Sequence, residues 1–286
     1  MAYTTLITTG DLFEHLSDPQ WTIVDCRFSL AEPELGRREY EEAHIPGALY
    51  AHLDEDLSGP IVPGRTGRHP LPAPEKMAQR LGSWGIGPGQ QVIAYDVSGG
   101  GIAARLWWLL RWLGHDEVAV LDGGWQEWQR HGHPVRGGVE SAQPRTFVPH
   151  PREDWVASAG EVNALRKDPG FLLVDSRAAD RYRGENETID PVAGHIPGAV
   201  NVPYAGNLEE NGRFRSRKAL RERFDDVLQQ IPPDHVIFYC GSGVTAAHNL
   251  LALSYAGFGG ARLYVGSWSE WIIDPSRPVA VTNKRS

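Results

Sequence analysis

The 286-residue chain carries one pattern twice, and that repetition limits what it can fold into. IVDCR, YEEAHIPGA, QVIAYDVSGGGIAARLWWLLRWLG and VLDGGWQEW in the first half are answered in the same order by LVDSR, AGHIPGA, HVIFYCGSGVTAAHNLLALSYAG and YVGSWSEW. Counterparts lie 143 to 151 positions apart: Asp25 and Asp175, His44 and His195, Asp96 and Cys240, Trp125 and Trp268. Such a unit is too long for a solenoid repeat, so each copy is a domain, with enough chain to bury a core without cross-links.

Within each copy, short β-branched runs alternate with helical patterns: WTIVD, QVIAYD and EVAVLD in the first, FLLVDS, HVIFYC and ARLYVG in the second. That alternation predicts an α/β fold, a mainly parallel sheet flanked by helices on both faces. GIAARLWWLLRWLG, apolar around most of its circumference and closed by Gly114, predicts a buried helix, with TAAHNLLALSYAG as its equivalent. Periodicity fades over GGVESAQPRTFVPHPREDWVAS, which places domains at 1–138 and 158–286 with a linker at 139–157. The Gly- and Pro-rich stretch LSGPIVPGRTGRHPLPAPE is expected to be a loop of the first domain.

The duplication also sorts residues by role. Asp25/Asp175, Arg27/Arg177, the two HIPG turns and the two Trp-x-x-Trp motifs occur in both copies and are expected to serve the fold. Cys240 faces Asp96 and is free to serve chemistry. It ends an apolar strand and precedes Gly241, Ser242, Gly243, Val244 and Thr245, the last of which begins a helical run. A cysteine so placed meets backbone N–H groups and a helix N-terminus, which favour the thiolate, so Cys240 is the expected nucleophile. Asp96 cannot act as a sulfur nucleophile, so the first copy is expected to be an inactive scaffold. Ligands of an open parallel sheet gather beyond the carboxyl ends of its strands, the edge that both residues occupy.

A formal net charge of −8 and the lack of a Lys/Arg-rich run argue against nucleic acid as a partner. No apolar stretch has the length of a membrane span, and MAYTTLITTGDLFEHL lacks the features of a signal peptide. Two cysteines at equivalent depth in different copies make no disulfide framework, which points to a reducing cytoplasm.

The duplication, the HIPG turns, the paired VD-x-R strands and CGSGVTA together resemble the two-domain rhodanese-family sulfurtransferases over nearly the whole chain. The CGSGVTA loop is most similar to that of the 3-mercaptopyruvate sulfurtransferases; thiosulfate sulfurtransferases typically carry basic residues where Gly241 and Ser242 stand. The resemblance implies two tandem rhodanese-like domains, an inactive first copy, and a persulfide formed on Cys240. It implies a small anionic sulfur donor, a thiol, thioredoxin-like or cyanide acceptor, and no metal or organic cofactor. Arg181 matches the substrate-binding arginine, and the first copy has Leu30 or Ala31 opposite it. Arg183 is a further candidate, and the N–H groups of Gly241, Gly243, Val244 and Thr245 are expected to line the donor. Ser242 and His44 resemble members of a proton-relay group. In one respect the chain departs from the mercaptopyruvate pattern: Asp190 stands where a second arginine is usual, nine residues after Arg181. The donor is thus open between mercaptopyruvate and thiosulfate.

Two other readings share the strand, loop and helix. Cysteine-dependent phosphatases need an arginine six residues after the cysteine to grip a phosphate dianion, and that residue is Ala246. A persulfide carrier or redox-sensing module would use the same loop as an enzyme, and steady-state turnover separates the two.

Overall fold

The computed structural model describes residues 2–282. It divides into two compact units, each borrowing a segment from the other half of the sequence. The first takes the N-terminal stretch to Gly59, Pro72–Arg152 and Glu209–Phe214; the second takes Pro60–Leu71, Glu153–Leu208 and the stretch from Arg215 onward.

In the first unit, strands β1 (Leu6–Ile7), β2 (Trp21–Asp25), β3 (Leu49–Tyr50), β4 (Gln91–Tyr95) and β5 (Val118–Leu121) pair in the order β1-β5-β4-β2-β3. Every pairing is parallel. The helices are α1 (Thr9–Glu14), α2 (Leu35–Glu42), α3 (Pro74–Ser83), α4 (Ala103–Trp112) and α5 (Gly124–Arg130). The all-round apolar run forms α4, buried at every position but Arg111. The second unit has β6 (Leu172–Asp175), β7 (Val200–Asn201), β8 (Val236–Tyr239) and β9 (Arg262–Leu263), in the parallel order β7-β6-β8-β9. A parallel bridge from Val156 to Leu263 stands where β1 meets β5 in the first unit. Its helices are α6 (Ala159–Leu165), α7 (Ala179–Arg183), α8 (Arg217–Leu228), α9 (Thr245–Tyr255) and α10 (Ser267–Trp271).

The two cores match at their principal positions. Ile23, Ile45, Tyr95, Trp125 and Trp128 pack in the first, and Leu173, Ile196, Tyr239, Trp268 and Trp271 in the second. Each core is tied to a buried ion pair at the end of the central strands. Arg177 Nη2 reaches Asp175 Oδ2 at 2.6 Å and donates to Gly194 O at 2.7 Å, while its guanidinium lies 4.8 Å from the Trp268 ring centroid. Arg27 repeats this with Asp25 (2.7 Å), Ala43 O (2.6 Å) and the Trp125 ring (4.7 Å). The residues that recur in sequence are thus the ones that hold strand, turn and Trp helix together.

Two segments differ from the sequence-based expectation. Residues 139–152, expected as part of a linker, belong to the first unit: Arg145 N–H donates to Gly82 O, and His150 and Arg152 N–H donate to Leu113 O and Trp112 O, all at 2.9 Å. Pro60–Leu71, expected as a loop of the first domain, packs with the second. Gly67 makes that approach feasible, since a Cβ there would stand 2.6 Å from Gly266 O and from Ser269 Oγ.

Removing one partner of the buried pair leaves the other charge uncompensated. Asp175→Ala is therefore expected to destabilise the second domain by about 3–5 kcal/mol, read as lost hydrogen-exchange protection over residues 158–274.

Candidate active site

Cys240 follows β8 directly and is buried. Backbone bonds from α10 fix it: Trp268 N–H donates to Cys240 O at 3.0 Å, and Ser269 N–H to Gly241 O at 2.9 Å. Gly243 N–H donates to Cys240 Sγ at 3.2 Å. Gly243 has φ 78°, and a Cβ there would lie 2.3 Å from Val265 O, so only glycine makes this turn without displacing the neighbouring strand end. Helix α9 begins at Thr245, with its N-terminal N–H groups behind the loop.

A strained residue supports Cys240. Ser267 is fully buried at φ 54°, one of two non-glycine residues in the left-handed region among the described residues. Its hydroxyl accepts from Cys240 N–H at 3.1 Å and donates to Tyr264 O at 2.8 Å. The equivalent position in the first unit is Gly124, with φ 58°. The second unit thus keeps a side chain where the fold prefers none, and that side chain holds the Cys240 peptide.

Around the loop stand the charged groups. Arg181 on α7 donates from Nη2 to Glu187 Oε1 (2.8 Å) and Asp190 Oδ2 (3.0 Å). Arg68, from the borrowed segment, bonds Asp190 Oδ1 through Nη1. Both guanidinium groups crowd Gly241: a Cβ there would lie 2.9 Å from Arg68 Nη2 and 3.7 Å from each Nη of Arg181. Burial pushes the Asp190 carboxyl up despite the pull of Arg68 and Arg181. Glu187 is also raised by burial, but its hydrogen bonds from Arg181 and from the N–H groups of Asp190 and Ile189 carry the net shift downward. Beside Arg68, His69 Nδ1 and Ser242 Oγ share a hydrogen bond of 2.7 Å, with both residues buried.

The structure thus brings together Cys240, Gly241, Ser242, Gly243 and Arg181, and adds Arg68 and His69, which sequence reasoning missed. His44, expected in a proton relay, is engaged elsewhere. Its Nδ1 bonds Tyr40 O at 2.7 Å, its ring stacks on Tyr40, and its backbone exchanges two bonds with Arg136. His195 makes the same set with Tyr182 and Ala280. Both histidines therefore brace the HIPG turn, and the histidine at Ser242 is His69. Arg183 pairs with Glu185 at 2.7 Å. Val244 and Thr245 stand at the loop-to-helix junction.

The first unit shows what the loop does when a carboxylate replaces the thiol. Asp96 Oδ1 accepts from the N–H groups of Ser98 (2.8 Å) and Gly100 (2.9 Å), and Oδ2 from those of Ile102 (2.7 Å) and Ala103 (2.8 Å). The backbone here is a cradle for an anion, filled by the chain itself. The matching positions around Cys240 are Ser242, Val244, Ala246 and Ala247, of which Ala247 N–H turns to Val244 O at 3.1 Å.

Glu34, His52 and Glu55 have the composition of a metal site, with ligand atoms within 4.8 Å of one another. His52 Nδ1 accepts from Asp54 and Glu55 N–H groups (3.2 and 3.3 Å), which puts the imidazole proton on Nε2, the nitrogen facing Glu34. Arg37 already pairs with both carboxylates, so these donors do not fit a metal.

The Rhodanese-like domain model matches residues 8–131 and again 158–274, and the chain belongs to that family. Its full-length relatives are sulfurtransferases, and it is an enzyme of that kind. It is 49% identical to the "Probable 3-mercaptopyruvate sulfurtransferase" of Pseudomonas aeruginosa, over 98% of this chain and 99% of that one. It is 33% identical to the thiosulfate sulfurtransferase of Rattus norvegicus, over 94% and 92%. The crystal structure of the 3-mercaptopyruvate sulfurtransferase SseA from Escherichia coli superposes with a TM-score of 0.81 at 32% identity, covering 94% of this chain and all of that one.

Ser267→Ala keeps the strain but leaves Cys240 N–H unsatisfied, an expected cost of about 1–3 kcal/mol. Ser267→Gly makes the same loss yet relieves the backbone, and is expected to be the milder change by about 1 kcal/mol. Chemical denaturation ranks the two.

Proposed function

We propose that the protein moves a sulfane sulfur from 3-mercaptopyruvate, and less efficiently from thiosulfate, to a thiol, a thioredoxin-like protein or cyanide through a persulfide on Cys240. The observation that carries this reading is the Gly243 N–H to Cys240 Sγ contact in a loop flanked by Arg68 and Arg181. It joins a nucleophilic sulfur, donors for the charge that sulfur bears, and cations for an anionic donor in one place.

In loading, the Cys240 thiolate attacks the sulfur of mercaptopyruvate. The new S–S bond forms as the C–S bond breaks, and the electron pair leaves on the enolate of pyruvate, which takes up a proton. The Ser242 hydroxyl, bonded to His69, supports the role of proton donor. With thiosulfate the broken bond is S–S and the leaving group is sulfite. In discharge an acceptor thiolate attacks the outer sulfur and Cys240 leaves as thiolate. The Asp96 cradle of the first copy supports both parts of the assignment: the same backbone binds negative charge, and there a carboxylate blocks it, leaving that copy a scaffold. The two unpaired cysteines suit a reducing cytoplasm, and no helix among the described residues is long and apolar enough to cross a membrane.

Arg68 and Arg181 together supply what the missing second arginine was expected to give: two planar donor forks for a carboxylate.

Cys240→Ser is expected to abolish transfer while the fold persists, and Cys26→Ser to leave it largely intact. Burial, with Asp25 and Asp96 nearby, pushes the Cys26 thiol well up and keeps it inert. Intact-mass spectra after donor treatment should show one added sulfur, on Cys240; sulfur on Cys26 alone would sink the assignment. Arg68→Ala and Arg181→Ala should each lower the single-turnover loading rate about ten- to a hundredfold, the worth of a charge-assisted contact, and spare discharge to a neutral thiol. Equal losses in both half-reactions would make the arginines structural.

A further inference from the structure

Asp190 stands where the family pattern has an arginine, and the structure gives it a definite task. Its buried carboxylate is shared between the two site arginines, Oδ1 with Arg68 Nη1 and Oδ2 with Arg181 Nη2. Glu187 sets that position. Its Oε1 accepts the N–H groups of Ile189 and Asp190 at 3.0 Å, while Oε2 takes Arg181 Nε at 3.1 Å and Arg177 Nη1 at 3.4 Å. The cluster therefore contains three guanidinium groups (Arg68, Arg177, Arg181) and three carboxylates (Asp175, Glu187, Asp190), and its full charges cancel. Donors remain within this balance: Arg68 Nε is buried without a hydrogen-bond partner, and Arg68 Nη2 borders Gly241.

A neutral cluster whose carboxylates are buried and whose site arginines are only partly exposed ranks ligands by their own charge. One carboxylate can be held by the unused N–H groups of two guanidinium forks. A dianion brings a second negative charge into the same low-dielectric space, where every cation is already matched.

Building on the sulfurtransferase reading, we propose that Asp190 sets donor choice: it aims Arg68 and Arg181 at the Cys240 loop and cancels one of their charges, so that a singly charged α-keto-acid thiol is taken over the thiosulfate dianion. Shared between the two guanidinium groups, Asp190 is thereby a specificity-determining residue of this chain.

The test measures kcat/KM for 3-mercaptopyruvate and for thiosulfate with one acceptor, in the wild type, Asp190→Asn and Asp190→Glu. The wild type should prefer mercaptopyruvate. Asp190→Asn, which removes the charge, should raise the thiosulfate-to-mercaptopyruvate ratio about tenfold or more. Asp190→Glu, which keeps the charge, should hold the ratio near that of the wild type. A wild-type preference for thiosulfate, or an equal fall with both donors in Asp190→Asn, would overturn the proposal and leave Asp190 as a brace. Should the variants fail to fold, inhibition of wild-type loading decides: pyruvate should inhibit more strongly than sulfate, and the reverse order overturns it. Intact mass separates the two levels of inference. A folded wild type that gains no sulfur on Cys240 from either donor defeats the sulfurtransferase reading, whereas sulfur gained with the wrong donor order defeats only the role of Asp190.

Discussion

The second domain depends on the Asp175–Arg177 pair beneath Trp268. Both charges lie out of water at the end of the central strands, a costly arrangement tolerated only when every lone pair and proton is matched. Burial works against the Arg177 charge, but Asp175 more than offsets it and the net pKa shift is upward. The same guanidinium caps Gly194 O before the HIPG turn and lies against Trp268, whose backbone N–H holds Cys240 O. Strand end, turn and Cys240 loop thus share one electrostatic anchor. Glu187 extends it toward Arg181, so the groups that fix the fold and those that border the site form one continuous network.

The first domain repeats the anchor almost atom for atom and differs where chemistry is at stake. Trp125 N–H holds Asp96 O at 2.9 Å as Trp268 N–H holds Cys240 O at 3.0 Å. Asp96 then accepts four N–H groups of its own loop, whereas Cys240 Sγ accepts the Gly243 N–H. Gly124 becomes Ser267, and a backbone position that is relaxed in one copy carries strain in the other. The two copies contrast a loop closed on its own carboxylate with one closed on a thiol.

Much of this was legible because a duplicated sequence contains its own control. Residues present twice proved to be the anchor and the turns, and the long strands and helix α4 followed from their apolar runs. Strands β1, β3 and β7 span two residues each, too few for any period to show. His44 matched a relay by residue type, yet its repeat at His195 was the better guide, since both make the same bonds. Arg68 and His69 were hidden in a Gly- and Pro-rich stretch with no periodicity. The signal available there was the GRTGRH cluster, basic in a chain of net charge −8. Its role depends on contacts with Asp190 and Ser242, more than 120 positions away, which no local pattern encodes.

That Pro60–Leu71 belongs to the second unit has a consequence for inheritance. A gene cut between the two copies would yield a downstream product with its cysteine loop intact and two of the surrounding basic groups missing. The half of the sequence that carries Asp96 opposite Cys240 thus also encodes residues that border the Cys240 loop. Deleting the first half would remove Arg68 and His69 along with its own sheet, so the two halves of the sequence are not independent modules.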